Sequence, residues 1–207
     1  MESEPQDAQW NTALECWVRA QGEQAEALYW LHNKATSWAQ RRNDFLQVPT
    51  IILSTLTGFL SATSNLVPMV ALGGVSVLCG ILGTLNSYFK FSQRSESHRV
   101  ISLMYLSIYK NIEVELALPI SQRTDAASLL KDLRTTMKAI QEQAPAIPDV
   151  IIAQFKIQFK DGTTSRPIIA NGLDNISIFR EKATATLTPI SGAMAPSPTL
   201  KVELPPE

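Results

Sequence analysis

Two long apolar stretches dominate the chain, and a few small polar residues separate them. The first stretch runs from Phe45 to Ala62, and the second runs from Leu66 to Phe89. None of the 45 residues from Phe45 to Phe89 is charged. Such a run is foreign to an ordinary soluble domain, where charged side chains recur on the outer face of each helix.

A membrane environment explains this pattern. The hydrocarbon core of a bilayer is about 30 Å thick, so a spanning helix needs about 20 apolar residues. The pattern therefore predicts one transmembrane helix over residues 45–62 and a second over residues 66–89, joined by a short external turn at residues 63–65. The alternative is a soluble helical hairpin whose apolar residues are buried.

Small residues recur at steps of three and four along one face of each predicted span. They are Ser54, Gly58 and Ser61 in the first span and Gly73, Ser76, Gly80, Gly83 and Ser87 in the second. Membrane helices pack through such residues because their backbones can approach closely. We interpret the two stripes as packing surfaces, within the hairpin or between copies. The alternative is that they line a pore, whose walls would then be only weakly polar.

The residues before the first span have the spacing of an amphipathic helix. Heptad a and d positions are occupied by Trp10, Leu14, Trp17, Leu28, Leu31, Ala35 and Trp38. Gln21, Gly22 and Gln24 interrupt this register. The pattern predicts an amphipathic cytosolic helix over residues 1–43 that runs into the first span, with a break or a soft joint near Gly22. We interpret the tryptophans as helix–helix core, with an interfacial aromatic belt as the alternative.

The residues after the second span predict further cytosolic helices over residues 90–158. One apolar helix follows the membrane and closes at Pro119. A second runs from Asp125 to Gln143 and is capped by Thr124. Residues 149–158 form a last short helix or an extended piece. The apolar stripes predict a bundle in which the first helix packs against the later ones.

The C-terminal tail, residues 159–207, differs in composition. An Asp161-Gly162 turn between two alternating stretches gives a weak β-hairpin signal from Phe155 to Ile169. Five prolines with Ser, Thr and Ala follow Thr184, which predicts a flexible, partly disordered terminus. Taken together, the sequence predicts an all-α membrane protein: a two-helix transmembrane hairpin with a cytosolic helical bundle and a flexible C-terminal tail.

The few charges near the spans predict orientation. They are Lys34, Arg41 and Arg42 before the first span and Lys90, Arg94 and Arg99 after the second. Because the connecting turn has no charge, the positive-inside rule places both termini in the cytosol. We interpret Arg41, Arg42 and Lys90 as markers of the lipid headgroup boundary. The alternatives are that they bind anionic lipid or line a cytosolic mouth.

Composition narrows the chemistry. The net charge of -1 excludes a globally basic nucleic-acid binder. Two cysteines and two histidines exclude a disulfide scaffold and a zinc site built from Cys and His alone. Phosphate-binding loops, dinucleotide fingerprints and hydrolase motifs are missing from the sequence. We interpret His98 as a packing or hydrogen-bonding residue rather than a gate or pH sensor, and we expect neither enzymatic activity, cofactor, nor metal.

The order of these features is similar to that of the SLATT family, the SMODS and SLOG-associating two-transmembrane effector proteins. It resembles in particular the versions found in large DNA viruses of algae and protists. The similarity covers roughly residues 24 to 158. It rests on Tyr29-Trp30-Leu31-His32-Asn33-Lys34-Ala35, Arg42-Asn43, Pro49, the two spans, His98-Arg99, Tyr105 and Gln143-Ala144-Pro145-Ala146-Ile147-Pro148.

The resemblance implies more than the residues themselves show. Bacterial relatives are regarded as effectors that oligomerise and permeabilise a membrane when a separate partner protein senses a nucleotide signal. We therefore expect a homo-oligomer in a lipid bilayer that forms a pore or perturbs the membrane. The alternative is a structural anchor or scaffold in a viral or host membrane.

Overall fold

The structure is a computed structural model that describes residues 9–62, 68–160 and 167–171. Within these ranges every regular element is helical. The helices are α1 (Thr12–Ala62), α2 (Met69–Phe89), α3 (Phe91–Ala117), α4 (Ala126–Gln143), α5 (Asp149–Gln158) and the short α6 (Ile168–Asn171), with one 3₁₀ turn at Ile120–Gln122. The prediction of an all-helical chain is confirmed for this part of the protein.

Helix α1 is a single rod of 51 residues. At 1.5 Å per residue its length is about 75 Å. The side chain of Asn11 caps its start by accepting a 2.8 Å hydrogen bond from the Leu14 amide. The helix passes through Gly22 and Pro49 without interruption. The predicted break near Gly22 is therefore wrong.

Gly22 has a packing role instead. It is buried, and a Cβ atom at this position would lie 3.0 Å from the Ile112 Cγ2 atom on α3. The glycine thus lets α1 and α3 approach closely. A local pattern cannot separate this role from helix breaking, because both call for a residue without a side chain.

Helices α2 and α3 run back along α1 as its antiparallel partner. Residues that meet across the pair lie at nearly equal distances from position 65 in the sequence. His32 and His98 meet, and each lies 33 residues from that position. The Ser95 hydroxyl likewise donates to the Thr36 carbonyl at 3.2 Å.

The apolar ends of this long hairpin are exposed. Two helical segments are long and apolar enough to cross a membrane, and none of the residues in the most apolar window of either is buried. The alternative of a soluble hairpin with a buried apolar core does not agree with this burial pattern. The predicted external turn at residues 63–65 lies outside the described residues, and α2 begins at Met69 rather than at residue 66.

The other half of the hairpin is the centre of a helical bundle. One core cluster joins α1, α3 and α4 through Val18, Ala25, Ile101, Tyr105, Ile108, Ile112, Leu133 and Ile140. A second cluster joins α1 to α5, to α6 and to the loop before α5. It contains Leu31, Ile147, Ile151, Phe155 and Ala170. The prediction that the first helix packs against the later ones is confirmed.

Two local predictions in this bundle are wrong. Helix α4 is capped by Asp125, whose carboxylate accepts a 3.0 Å hydrogen bond from the Ser128 amide. Thr124 instead donates from its hydroxyl and its amide to the Glu115 carboxylate, at 2.7 and 3.1 Å. Its side chain is therefore already engaged across the loop.

The β-hairpin predicted from Phe155 to Ile169 is also wrong where the structure describes it. Phe155 to Gln158 belongs to α5, and Ile168 and Ile169 belong to α6. The ring of Trp30 packs edge-on against Phe155 at 5.6 Å between centroids. Ile151 and Phe155 are both buried against α1, and their spacing of four residues suits a helix rather than a strand. The Asp161-Gly162 turn and the tail from residue 172 to the C-terminus lie outside the described residues.

One residue separates the apolar α2 from the bundle helix α3. Lys90 adopts a left-handed conformation with φ 50° and ψ 40°, which is unusual for a residue with a side chain. Its amide still bonds to the Asn86 carbonyl and its carbonyl to the Arg94 amide, at 3.1 and 3.0 Å. The helix therefore changes direction here without losing these two bonds, at a strain of about 1–2 kcal/mol.

Replacing Gly22 by Leu should destabilise the bundle, since the new side chain would collide with Ile112. We expect the melting temperature in detergent to fall by roughly 3–10 °C, which corresponds to overpacking by about 1–3 kcal/mol. Ala13→Leu, which adds bulk at an exposed position of the same helix, is the control and should shift it little. Equal effects of the two changes would contradict the close approach.

A second pair of variants tests the backbone at Lys90. Lys90→Gly and Lys90→Val both remove the charge, but only glycine adopts the left-handed conformation without strain. We expect the glycine variant to melt no lower than the wild type and the valine variant to be less stable by about 1–2 kcal/mol. Thermal unfolding followed by circular dichroism distinguishes the two. A valine variant as stable as the glycine variant would contradict the left-handed conformation.

Candidate functional site

The two apolar helices contact each other through medium-sized side chains. On both helices, the partly buried positions follow one stripe at steps of three and four. They are Leu46, Thr50, Leu53, Thr57 and Leu60 on α1 and Leu72, Val75, Cys79, Leu82, Gly83 and Asn86 on α2. Of the predicted small residues, only Gly83 lies at the edge of this contact.

The predicted small residues lie beside this contact. Successive residues of a helix are rotated by about 100°, which places the small stripe of each helix about 90–100° from the stripe that contacts the other helix. The rotation has the same sense along the chain in both helices, and the helices are antiparallel. Both stripes therefore lie on the same side of the hairpin. We call this side the small-residue face; its residues are Ser54, Gly58, Ser61, Gly73, Ser76, Gly80, Gly83 and Ser87.

The small-residue face has open space in front of it. A Cβ atom added at Gly58, Gly73, Gly80 or Gly83 would meet nothing within 4 Å. The hydroxyl groups of Ser61 and Ser76 donate to carbonyls of their own helix, at 2.8 and 2.9 Å. Each thus keeps its oxygen as an acceptor on the outer surface. The backbone of another helix can therefore approach this face closely. The face is weakly polar and carries no charge.

The opposite side of the hairpin is built from bulky apolar groups. They are Phe45, Ile52, Leu56 and Phe59 on α1 and Leu78, Ile81 and Leu85 on α2, and all seven are exposed. The hairpin is therefore two-sided: one side carries small residues, and the other carries mostly large apolar side chains. The large side has the character of a lipid-facing surface.

The structure divides the three predicted boundary residues between two places. Arg41 and Arg42 line a groove of about 590 Å³ together with Phe45, Leu46, Phe89 and Phe91. Lys90 instead lines an open cavity of about 730 Å³ with Ser87, Gln93 and Glu96 among its walls. The three cations thus share a level along the hairpin but do not form one site.

A buried histidine pair joins α1 and α3 within the helical bundle. The Nδ1 atoms of His32 on α1 and His98 on α3 are 2.9 Å apart. Their side chains are only 2% and 4% exposed. Because a nitrogen–nitrogen hydrogen bond needs one donor and one acceptor, only one of the two Nδ1 atoms holds the proton in this contact. The ring of His32 also stacks on Tyr105, with centroids 5.8 Å apart.

The surroundings disfavour charge on the pair. Burial, with a smaller contribution from the neighbouring His98, lowers the pKa of His32 to about 4. Burial likewise lowers the pKa of His98, with a smaller contribution from the positive charge of Arg94. At neutral pH the two rings therefore form an uncharged hydrogen-bonded bridge between α1 and α3.

Sequence reasoning identified His98 as a hydrogen-bonding residue, which the structure confirms, but missed His32 as its partner. A signal was present, because the two histidines are equally far from the predicted turn and an antiparallel hairpin brings such residues together. The same register places Asn43 and Asn86 at one level. Each buries an Oδ1 atom that accepts no hydrogen bond from the described residues.

The histidine pair predicts a loss of stability in acid. Between pH 6.5 and about 4, His32 in the unfolded chain binds a proton that the folded chain does not bind, so folding becomes less favourable as the pH falls. The pKa difference corresponds to about 3 kcal/mol for His32. We expect the melting temperature to drop across this window.

A double variant isolates this effect. In His32→Leu/His98→Leu both polar partners are replaced by apolar groups, which avoids leaving one buried nitrogen unpaired. Its melting temperature should fall less steeply between pH 6.5 and 4 than that of the wild type. Parallel curves would show that other groups govern the acid sensitivity.

Neither the protein-family models, the curated proteins nor the solved structures compared with this chain give a match. The resemblance to the SLATT family stays a prediction.

Proposed function

We propose that this chain is a two-span integral membrane protein whose hairpins associate through the small-residue face into an oligomeric pore or other membrane-perturbing assembly. The observation that supports the proposal best is the two-sided hairpin. Small residues from both spans lie on one outward side, and a Cβ atom added at any of the glycines among them would meet nothing within 4 Å in the same chain.

Membrane insertion is supported by the exposure of the apolar helices. Phe45 is 78% exposed and Met69 is 89% exposed, although both belong to strongly apolar stretches. Soluble monomers rarely expose apolar patches beyond a few hundred Å². In a bilayer, acyl chains rather than water contact this apolar surface, so its exposure is not unfavourable. The backbone N–H and C=O groups of a spanning helix are hydrogen-bonded within the helix. Basic residues on the bundle side favour a cytosolic bundle with both termini inside.

Association is supported by the physics of helix packing in lipid. In lipid, an apolar side chain gains little free energy when it exchanges contact with acyl chains for contact with another helix. Close backbone contact therefore decides which helix surfaces associate. Within one chain the glycines of the small-residue face make no such contact. A second copy could use them. Several copies are needed for a pore, because one hairpin encloses no water path.

The chemistry of such a pore follows from its walls. Outward Ser and Thr oxygens accept hydrogen bonds, while their protons are used within the helix, as at Ser61, Ser76 and Thr84. The spans contain no charged residue. Ion selectivity would therefore be poor or set by the charged residues at the mouths. The resemblance to SLATT proteins adds a separate nucleotide-sensing partner as the proposed trigger.

A structural anchor or scaffold is the second candidate. It is favoured by the continuity of α1, which links the apolar hairpin to the bundle as one helix of 51 residues. A rigid connection of this kind suits a protein that holds partners at a fixed distance from a membrane. Ion flux separates this function from a pore.

The test is release from liposomes. The purified protein is reconstituted into vesicles that hold a small fluorescent ion reporter or, separately, a larger dye, and its subunits are counted by crosslinking. Release by a defined oligomer supports the pore, and the dye cutoff bounds its width. An intact oligomer without leak, even after candidate nucleotides are added, supports the scaffold. A monomer that does not leak contradicts both assembly and pore formation.

Two glycine variants sharpen this test. Gly80→Leu fills the small-residue face, whereas Gly74→Leu adds the same side chain on the large side of α2. Both positions have open space within the chain, so neither change should disturb the hairpin itself. We expect Gly80→Leu to weaken association and leak at least about tenfold, equivalent to about 1.4 kcal/mol. Gly74→Leu should stay within about twofold of the wild type, and equal effects of both variants would contradict the proposed interface.

A further inference from the structure

The groove beside Arg41 and Arg42 is built by the break in the helix at Lys90. In an uninterrupted α-helix, residues two apart point to nearly opposite sides. Here the left-handed Lys90 brings the rings of Phe89 and Phe91 into a stack, with centroids 5.3 Å apart and an interplanar angle of 21°. Phe91 is buried, whereas Phe89 remains partly exposed. The stack forms the apolar wall of the groove on the side of α2 and α3.

This aromatic wall continues to the guanidinium group of Arg42. Phe91 packs edge-on against Trp38 at 6.3 Å between centroids. The guanidinium carbon of Arg42 lies 4.2 Å from the centre of the Trp38 ring. Stacking on an aromatic ring uses the flat face of a guanidinium and leaves the N–H donors at its edge for an anion.

The positive charge in this groove is not neutralised by the chain. Among the described residues, neither Arg41 nor Arg42 forms a salt bridge. The nearest acidic neighbour in sequence, Asp44, accepts hydrogen bonds from Gln40 and Asn43 instead, at 2.9 and 3.5 Å. Two adjacent guanidinium groups without a carboxylate partner are suited to a phosphate.

The remaining walls are apolar. Phe45, Leu46 and Phe89 line the same groove as the two arginines, within a volume of about 590 Å³. A ligand that fits must therefore join a negatively charged phosphate to hydrocarbon. The groove also lies where the apolar stretch begins on α1 and ends on α2, which is the level of lipid headgroups in a spanning hairpin.

We propose that this groove is a specific binding site for an anionic phospholipid. Arg41 and Arg42 bind the phosphate through their N–H donors, and the first carbons of the acyl chains lie against Phe45, Leu46 and Phe89. Lys90 stands outside the site, since it lines the separate cavity that also contains Glu96. The proposal rests on the membrane insertion proposed above and is independent of pore formation.

The test is lipid retention measured by native mass spectrometry. The full-length protein in detergent is mixed with equal amounts of phosphatidylglycerol and phosphatidylcholine. Both lipids contain a phosphate, but choline neutralises it in the second. We expect the wild type to retain phosphatidylglycerol at least about tenfold better. No preference for the anionic lipid would overturn the proposal.

Charge-matched variants separate a built site from general attraction. Arg42→Gln should reduce the preference to under about twofold, whereas Lys90→Gln should retain it, although each removes one positive charge at the same level. Equal losses in both variants would overturn the site in favour of diffuse electrostatics. Circular dichroism confirms that each variant is folded.

Two further experiments are needed. A competition distinguishes a lipid headgroup from a free phosphate as the ligand, and a liposome flotation distinguishes failure of membrane insertion from failure of the lipid site. Excess soluble glycerol phosphate should not displace the lipid; full displacement would overturn lipid specificity in favour of a phosphate site. A protein that fails to float with liposomes contradicts membrane insertion itself. A protein that floats but shows no lipid preference contradicts only the lipid site.

Discussion

The antiparallel register of α1 against α2 and α3 is the constraint on which the rest of the structure depends. It is fixed in the bundle by two different contacts: the close approach of Gly22 to Ile112 and the hydrogen-bonded pair His32–His98. Shape determines the first contact, because only glycine leaves the space. Directional bonding determines the second. Together they set which residues of the apolar half lie at the same level, although those residues are far from either contact.

The left-handed Lys90 is the second decisive feature, because it separates two helical environments. Before it, α2 exposes apolar side chains along its whole length; after it, α3 buries a stripe in the bundle core. In an uninterrupted helix, the face by which α2 contacts α1 and the buried stripe of α3 could not be oriented independently of each other. The change of direction at Lys90 allows α3 to pack in the bundle while α2 packs along the apolar part of α1. It also creates the stack of Phe89 on Phe91 that lines the arginine groove.

These two features relate the apolar half of the hairpin to the proposed functions. The hairpin contact uses medium-sized side chains, which leaves the small residues free for a contact with another copy. The arginine groove lies at the base of the same hairpin, on the large side that carries Phe45, whereas copies would associate through the small-residue face. Association and lipid binding therefore use different sides of the hairpin, so the lipid site does not depend on pore formation.

The sequence by itself determined the helical character, the two apolar segments and the ends of the bundle helices near Pro119 and Pro145, since each depends on residues close together in the chain. Tertiary structure decided the rest. It assigned Gly22 to close packing rather than a break, made α5 a helix despite the alternation after Phe155, and paired His32 with His98 across 66 residues. It also turned the small stripes away from the hairpin contact. The physical reason is that a local pattern shows which face of a helix is distinctive, whereas only the packing of helices distant in sequence decides what that face meets.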